Sequence, residues 1–286
     1  MQGKLIVVGT PIGNLSDFSP RAEQTLREAD FIAAEDTRVT LKLLNHLGIK
    51  KQMVSYFEHN KRERGDIICD RIEAGETCAL VSDAGMPAIS DPGELLVAQC
   101  AERGIQVLVV PGPSAVVSAL AVSGLPTGRF AFEGFLSVSK KSRREHLNEV
   151  KNERRTMIFY EAPHKLASTL ADMLAAWGDR RISLVRELTK IHEEVIRTTL
   201  AEAAARYADG GARGEFVLVI EGAPAPLQTE FAVEDGVDLA RDLMQEGFSA
   251  SEAAKQAAAE TNLKKGDIYK ALLAAQRQED EPGRTD

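Results

Sequence analysis

The sequence predicts an α/β protein with two consecutive α/β domains and a small helical module at the C-terminal end. Short apolar runs alternate with helical patterns through residues 1–125, and the same alternation resumes over residues 126–224. Residues 230–278 show helical patterns and no strand-like run. Strands that alternate with helices at this spacing form mostly parallel sheets covered by helices.

Five apolar runs in the first domain are predicted strands, with helical patterns between them. The strands are KLIVVG, FIAAE, MVSYF, CALVS and QVLVV, and the helices lie near residues 20–28, 38–46, 60–73, 93–102 and 114–122. Loops rich in Gly and Pro follow the first, fourth and fifth strands: GTPIGNL, SDAGMPAISDPG and PGPSA. Sheets of this kind bind ligands beyond the carboxyl ends of their strands, so these loops are expected to converge on one site.

The segment SGLPTGRF is interpreted as a linker into the second domain. That domain has predicted strands near RFAFEG, RTMIFYE, RISLVRE and GEFVLVIEG, with helices near residues 142–152, 164–176 and 199–208. A second linker, APAPLQTE, leads into the helical module. There Ser249 and Glu252 form a capping-box pattern, and a second amphipathic helix includes Ile268. Two short helices around a turn predict a helix-turn-helix.

The composition is typical of a soluble globular protein: 286 residues, 44% apolar and 27% charged. No apolar run approaches the ~20 residues of a membrane span, so a cytoplasmic protein without membrane association is expected. Three cysteines without CxxC spacing and five scattered histidines predict no metal site. The net charge of −8 argues against a uniformly basic nucleic-acid binder.

A local basic segment stands out against this acidic background. Residues 140–155, KKSRREHLNEVKNERR, hold seven Lys or Arg against three Glu. Such a segment contacts RNA phosphates well, and the alternative is an ordinary solvated helix face. Lys264 and Lys265 in the helical module are a second candidate for RNA contact, with a packing or dimerisation role as the alternative.

Six motifs occur in a fixed order along the chain: VVGTPIGNLSDFSPRA, AAEDTR, LVSDAGMPAISDPG, VVPGPSAVVSALAVSGLP, FYEAPHKL and RELTK. Together they resemble the tetrapyrrole methylase family, the class III methyltransferases that use S-adenosylmethionine (AdoMet). Within it, PIGNL, AAEDTR and SDAGMPAISDPG are similar to the branch that methylates a cytidine ribose 2′-oxygen in the decoding region of small-subunit ribosomal RNA. The resemblance covers the chain from Leu5 to Gly222.

The resemblance implies a homodimer with AdoMet in the cleft between two α/β domains, and ribosomal RNA or the small ribosomal subunit as partner. It also implies a set of cofactor-binding positions. These are Pro11, Ser82, Asp83, Ala84, Met86, Ser114, Ala115, Tyr160, Glu161 and Leu188. Relatives that act on tetrapyrroles often have Met at the position of Glu161, so its contact is expected to differ in kind.

A ribose hydroxyl is a weak nucleophile, so a general base and a nearby cation are expected to assist methyl transfer. The candidate bases are Asp36, Glu161 and Asp83, and the candidate cations are Arg38, Lys165 and Arg186. Asp36 and Arg38 are the preferred pair because the EDTR cluster is polar, compact and placed at a strand end. The alternative is a helix start with a local Asp–Arg pair. Asp83 and Asp91 have a similar alternative as turn residues, and Ser114 as a helix cap.

Two other functions remain open on the sequence. One is a small-molecule C-methyltransferase that acts on tetrapyrroles, and the other is an RNA-binding protein without catalysis. The basic segment and the helical module favour an RNA substrate over a small molecule. The intact loops favour a working cofactor site over a protein that only binds RNA.

Overall fold

The computed structural model of the protein describes residues 3–225 and 231–279. The chain divides into two compact units, one ending at Pro224 and the other beginning at Ala225. Residues 226–230 of the predicted second linker lie outside the described residues. No helix of the described part is both long and apolar enough to cross a membrane.

The first unit begins with a five-stranded parallel sheet of order β3-β2-β4-β1-β5. Its strands are β1 (Lys4–Val8), β2 (Phe31–Ala34), β3 (Gln52–Ser55), β4 (Thr77–Val81) and β5 (Gln106–Val110). Its helices are α1 (Pro20–Glu28), α2 (Thr37–His46), α3 (Lys61–Glu73), α4 (Gly93–Glu102) and α5 (Ala115–Ser123). Apolar clusters pack on both faces of the sheet, which explains why its strands read as continuous apolar runs.

A second, mixed sheet of order β6-β7-β10-β8-β9 completes this unit. Its strands are β6 (Phe130–Phe135), β7 (Thr156–Glu161), β8 (Arg181–Arg186), β9 (Glu194–Thr199) and β10 (Phe216–Ile220). Only β6 and β7 pair in parallel. Helices α6 (Lys140–Glu149), α7 (Leu166–Trp177) and α8 (Leu200–Arg206) share one core with the sheet. Helix α5 packs against strands β8 and β10, so it joins the two sheets.

The described part of the second unit has three helices, α9 (Val233–Gln245), α10 (Ala250–Thr261) and α11 (Lys265–Glu279). The predicted capping box is present, because Ser249 Oγ accepts from Glu252 N and the Glu252 carboxylate accepts from Ser249 N. Asn262 ends α10 in the left-handed region, with φ of 57°. Ile268 and Leu272 are fully buried in this unit's core. The fold class is therefore confirmed: two α/β sheets of the expected kind and a helical C-terminal unit.

Candidate functional site

The loops after β1, β4 and β5 meet at the carboxyl ends of the strands of the first sheet, because these three strands are neighbours in the order of the sheet. They line a cavity of about 520 Å³ between the two sheets of the first unit. Nine of the ten predicted cofactor positions line it: Ser82, Asp83, Ala84, Met86, Ser114, Ala115, Tyr160, Glu161 and Leu188. Positions widely separated in sequence thus form one site.

Hydrogen bonds hold these loops together. Thr10 and Gly85 pair through both backbone groups, with N–O distances of 2.9 and 3.1 Å. The Met86 sulfur accepts from Gly112 N at 3.2 Å. Gly9 and Gly112 approach so closely that a Cβ on Gly9 would lie 2.7 Å from the Gly112 Cα. Gly9 and Gly112 are therefore required by this backbone contact.

The second sheet supplies an apolar and aromatic wall. Tyr160 is half-buried, and burial raises the pKa of its hydroxyl. Its ring lies 5.3 Å from the ring of Phe135, which is 57% exposed. Val185, Leu188 and other apolar residues extend this wall. An apolar and aromatic surface of this kind fits an adenine ring.

Two carboxylates face this wall from the first sheet. Glu35 Oε2 accepts from Asp83 N at 3.3 Å, and Asp83 Oδ1 accepts from Asp36 N at 3.0 Å. Partial burial raises the pKa of Glu35 and of Asp83. Repulsion from Asp83 raises the pKa of Glu35 further, and repulsion from Asp36 does the same for Asp83. A bound cation would relieve both effects, so the pair suits the positive charges of AdoMet. With the apolar wall opposite, the residues present fit this cofactor.

Asp36 and Arg38, the preferred catalytic pair, lie beside the cavity and do not line it. Asp36 caps helix α2 by accepting from Arg38 N at 2.8 Å, and its carboxylate also pairs with the Arg38 guanidinium at 2.6 Å. Hydrogen bonds from Arg38 lower the pKa of Asp36 to about 2. A carboxylate held so firmly in its ionised form is a weak base.

Glu161 lines the cavity but its carboxylate is engaged in the interior. The residue is 2% exposed. Oε1 accepts from Ala162 N at 2.8 Å and pairs with Lys165 Nζ at 3.0 Å, and Oε2 accepts from Thr169 Oγ1 at 2.5 Å. These bonds occupy both oxygens and the Lys165 ammonium. The contacts indicate that Glu161 shapes the wall. They leave neither its carboxylate nor the Lys165 ammonium free for a proton transfer.

Pro11 is the one predicted cofactor position outside the main cavity. It lines a neighbouring groove of about 280 Å³ with Leu15, Val39 and Leu43. Ser82 and Asp83 line both spaces, so the groove adjoins the site. Asp91 has the turn role considered for it, because its Oδ1 accepts from the N–H groups of Ala88 and Gly93.

The sequence argument missed several residues of the site. Glu35 was passed over in favour of its neighbour Asp36, and Phe135 was placed beyond the end of a predicted strand. Ile12, in the first loop, and Ile89, in the loop after β4, also line the cavity. Their position inside the Gly- and Pro-rich loops was a usable signal, since those loops had been predicted to form the site.

In the basic segment of residues 140–155, some of the cationic side chains are exposed and one is buried. Arg143 is buried, and its guanidinium donates to Asp172 at 2.9 and 2.7 Å. Lys140, Lys141 and Arg144 are exposed on α6. Cys69, Cys78 and Cys100 are free and buried, and the described residues include no group of three or more potential metal ligands.

Comparisons with known proteins agree with this geometry. Residues 4–204 match the family of Tetrapyrrole (Corrin/Porphyrin) Methylases. A Synechocystis sp. protein named Ribosomal RNA small subunit methyltransferase I is 46% identical over 272 residues, which cover 95% of this chain and 98% of its own. A Thermotoga maritima protein of the same name is 50% identical over 220 residues, covering 77% and 99%. The solved Thermus thermophilus uroporphyrin-III C-methyltransferase, complexed with S-adenosylhomocysteine, has a TM-score of 0.54 at 19% identity, covering 77% of this chain and 97% of that one.

Proposed function

Because the chain belongs to the tetrapyrrole methylase family of AdoMet-dependent methyltransferases, we propose that it methylates the ribose 2′-oxygen of a cytidine in the decoding region of small-subunit ribosomal RNA. The names of its relatives support the substrate class. The site supports the reaction through one observation above all: a single cavity combines a carboxylate pair with an apolar wall and an exposed aromatic ring. A cytoplasmic location follows from this proposed substrate and is part of the proposal.

The cofactor supplies an activated methyl group on a sulfonium. Nine of the cavity residues named above would hold it, with Asp83 as the acceptor for its positively charged or hydroxylated end. A charge-assisted hydrogen bond of this type is about twice as strong as a neutral one. Pro11 lines the neighbouring groove, which adjoins this cofactor site.

Glu35 is our candidate for the general base. Its Oε2 accepts from Asp83 N, while no hydrogen bond to Oε1 is recorded within the described part of the chain. The raised pKa makes Glu35 a stronger proton acceptor than an ordinary glutamate. Asp36 and Arg38 have indirect roles in this scheme. Asp36 N positions the Asp83 carboxylate. The Arg38 side chain is paired with Asp36 but is 88% exposed, so RNA can reach it.

The cavity mouth offers a surface for a base. Phe135 and Ile89 line the cavity and remain 57% and 55% exposed. Proteins that recognise single-stranded RNA stack splayed bases on such rings. The exposed Lys140, Lys141 and Arg144 of α6 would contact phosphates, and Lys264 and Lys265 of the helical unit are proposed as a further contact.

A homodimer is part of the proposal. Strand β5 is an edge of its sheet, yet Leu108 and Val109 on it are 40% and 55% exposed. Val117 of the adjoining α5 is 57% exposed. An apolar sheet edge of this kind requires cover, and a second copy of the chain would provide it.

The test is methyl transfer from labelled AdoMet to isolated small ribosomal subunits, to their naked RNA and to a porphyrin precursor in parallel. We expect label on a ribose of the RNA, and Glu35→Gln should abolish it while weakening AdoMet binding less than Asp83→Asn does. Asp209→Asn, at an exposed carboxylate outside the cavity, is the matched control and should behave as the wild type. Label found only on the porphyrin would overturn the RNA assignment.

A further inference from the structure

A second cavity lies at the end of the second sheet opposite to the methyltransferase site. It has a volume of about 1330 Å³ and is lined mainly by residues at the starts of β6, β7 and β8 and by residues that follow β10. Five of these are arginines, which we call the arginine trough: Arg129, Arg154, Arg155, Arg180 and Arg181. Neither the family nor the cavity already described gives this trough a role.

Arg180 is the most unusual member of the trough. It is 9% exposed, and its Nη2 donates to Lys151 O at 2.7 Å. Its Nε and Nη1 are buried and have no hydrogen-bond partner. Burial lowers the pKa of this guanidinium. A buried cation with two unpaired donors is costly, and an anion in the trough would compensate it.

The other arginines differ in how far they are already neutralised. Arg155 pairs with Glu153 and Arg181 pairs with Glu221, each at 2.5 Å. Arg129 and Arg154 are exposed, and neither has a hydrogen-bond or ion-pair partner among the described residues. The lining carboxylates are Glu153, Asp179 and Glu221, so arginines outnumber them five to three. The trough is therefore a net cationic surface.

We propose that the arginine trough binds the phosphodiester backbone of the RNA substrate. This inference rests on the function proposed above for the methyltransferase site. Arginine suits the role because its planar fork matches two phosphate oxygens. The trough spans the starts of β6 and β8, which are three strand spacings apart, or about 14 Å. That width suits a chain of phosphates better than one free anion.

The position of the trough has a consequence for the substrate. Strand β7 runs from Thr156 in the trough to Glu161 in the methyltransferase cavity. At about 3.3 Å per residue, the two sites lie roughly 17 Å apart. An RNA that fills both must extend well beyond the methylated nucleotide. Short fragments that contain only this nucleotide would lack the second contact.

The test compares the wild type with the double variant Arg129→Ala/Arg154→Ala. Both side chains are exposed, so the fold should tolerate the change. Filter binding to naked small-subunit ribosomal RNA is measured across a series of KCl concentrations. Each lost phosphate contact reduces the slope of log K against log salt by about 0.7 to 0.9, so the double variant should lose about 1.4 to 1.8. Arg62→Ala, an exposed arginine on α3, is the control and should lose nothing.

An unchanged slope in the double variant overturns the proposal. So does a result in which the variant loses only stabilisation by inorganic phosphate in thermal unfolding, because the trough would then hold free anions. AdoMet binding by calorimetry should be equal in all three proteins. If the wild type binds RNA through the trough but transfers no methyl group to it, the proposed function fails and the trough stands.

Discussion

The buried ion pair between Arg143 and Asp172 allows a quantitative test of how α6 is held to α7. The two side chains are 8% and 9% exposed. Arg143 donates twice to Asp172, while Arg144 reaches the other carboxylate oxygen from a largely exposed position, at 3.2 Å. Burial opposes ionisation of Asp172, but the hydrogen bonds from both arginines outweigh it and lower its pKa.

Asp172→Ala leaves the Arg143 guanidinium buried with only two distant carbonyls, at 3.4 Å. Removal of one partner from a buried pair costs about 3–5 kcal/mol, which corresponds to a fall in Tm of roughly 6–20 °C for a domain of this size. Arg143→Ala should cost less, because Asp172 retains Arg144. Arg144→Ala breaks an exposed pair and should cost about 0–1 kcal/mol.

The assay is urea unfolding followed by tryptophan fluorescence. Trp177 is the only tryptophan of the chain, and its Nε1 donates to Leu147 O at 2.8 Å, so it reports directly on the contact between α6 and α7. The lowered pKa of Asp172 means that its stabilisation is present above the ordinary aspartate value of about 3.9 and is lost as pH falls through the lowered value. Equal stability of Asp172→Ala and Arg144→Ala at neutral pH would refute this account of the pair.

Three further predictions concern the methyltransferase site. Asp83→Asn should weaken AdoMet binding roughly tenfold in calorimetry. It should also raise the free energy of unfolding at neutral pH. The pKa of Asp83 is raised in the folded state, so the wild-type protein loses stability as pH rises from the ordinary to the raised pKa, and the amide does not ionise. Gly9→Ala should destabilise by about 1–3 kcal/mol, since its Cβ would meet Gly112 at 2.7 Å, whereas Gly266→Ala, with nothing within 4 Å, should be harmless. Phe135→Ala should raise KM for RNA, because it removes about 1–3 kcal/mol of base stacking, and should change AdoMet affinity less. Phe135→Trp should restore KM. Equal losses of RNA and AdoMet affinity in Phe135→Ala would contradict a role in base stacking.

The first sheet was predictable because its strands carry buried apolar runs bounded by Gly and Pro. Their bounds agree with the predicted runs to within two residues. Strand β9 was not predicted. Its sequence, EVIRTT, contains no buried residue and lies at the edge of its sheet, so it lacks the apolar run that marked the other strands. This strand forms through its pairing with β8, a contact that the local sequence pattern does not reveal.

Within the site, the sequence located the loops but not the individual roles. Glu35 and Asp36 are neighbours at the end of β2, yet Glu35 lines the cavity while Asp36 caps α2. Successive side chains of an extended segment point in opposite directions, so one position decides between the two roles. The polarity of the EDTR cluster indicated that it belongs to the site, but only the structure shows which of its residues lines the cavity. Glu161 was similarly expected at the cavity, but its partners come from the start of α7: Lys165, which directly precedes the helix, and the buried Thr169.

The mixed sheet of the first unit has a geometric consequence of its own. Strand β7 ends at the methyltransferase cavity, whereas its antiparallel neighbour β10 begins there and ends beside the arginine trough. The sheet therefore sets the distance between the methyltransferase cavity and the arginine trough. If RNA is gripped at one end and modified at the other, the length of these strands selects which nucleotide along the chain reaches the methyl group. Lengthening both strands by two residues would move that point by about 6.6 Å without altering a single side chain of either site.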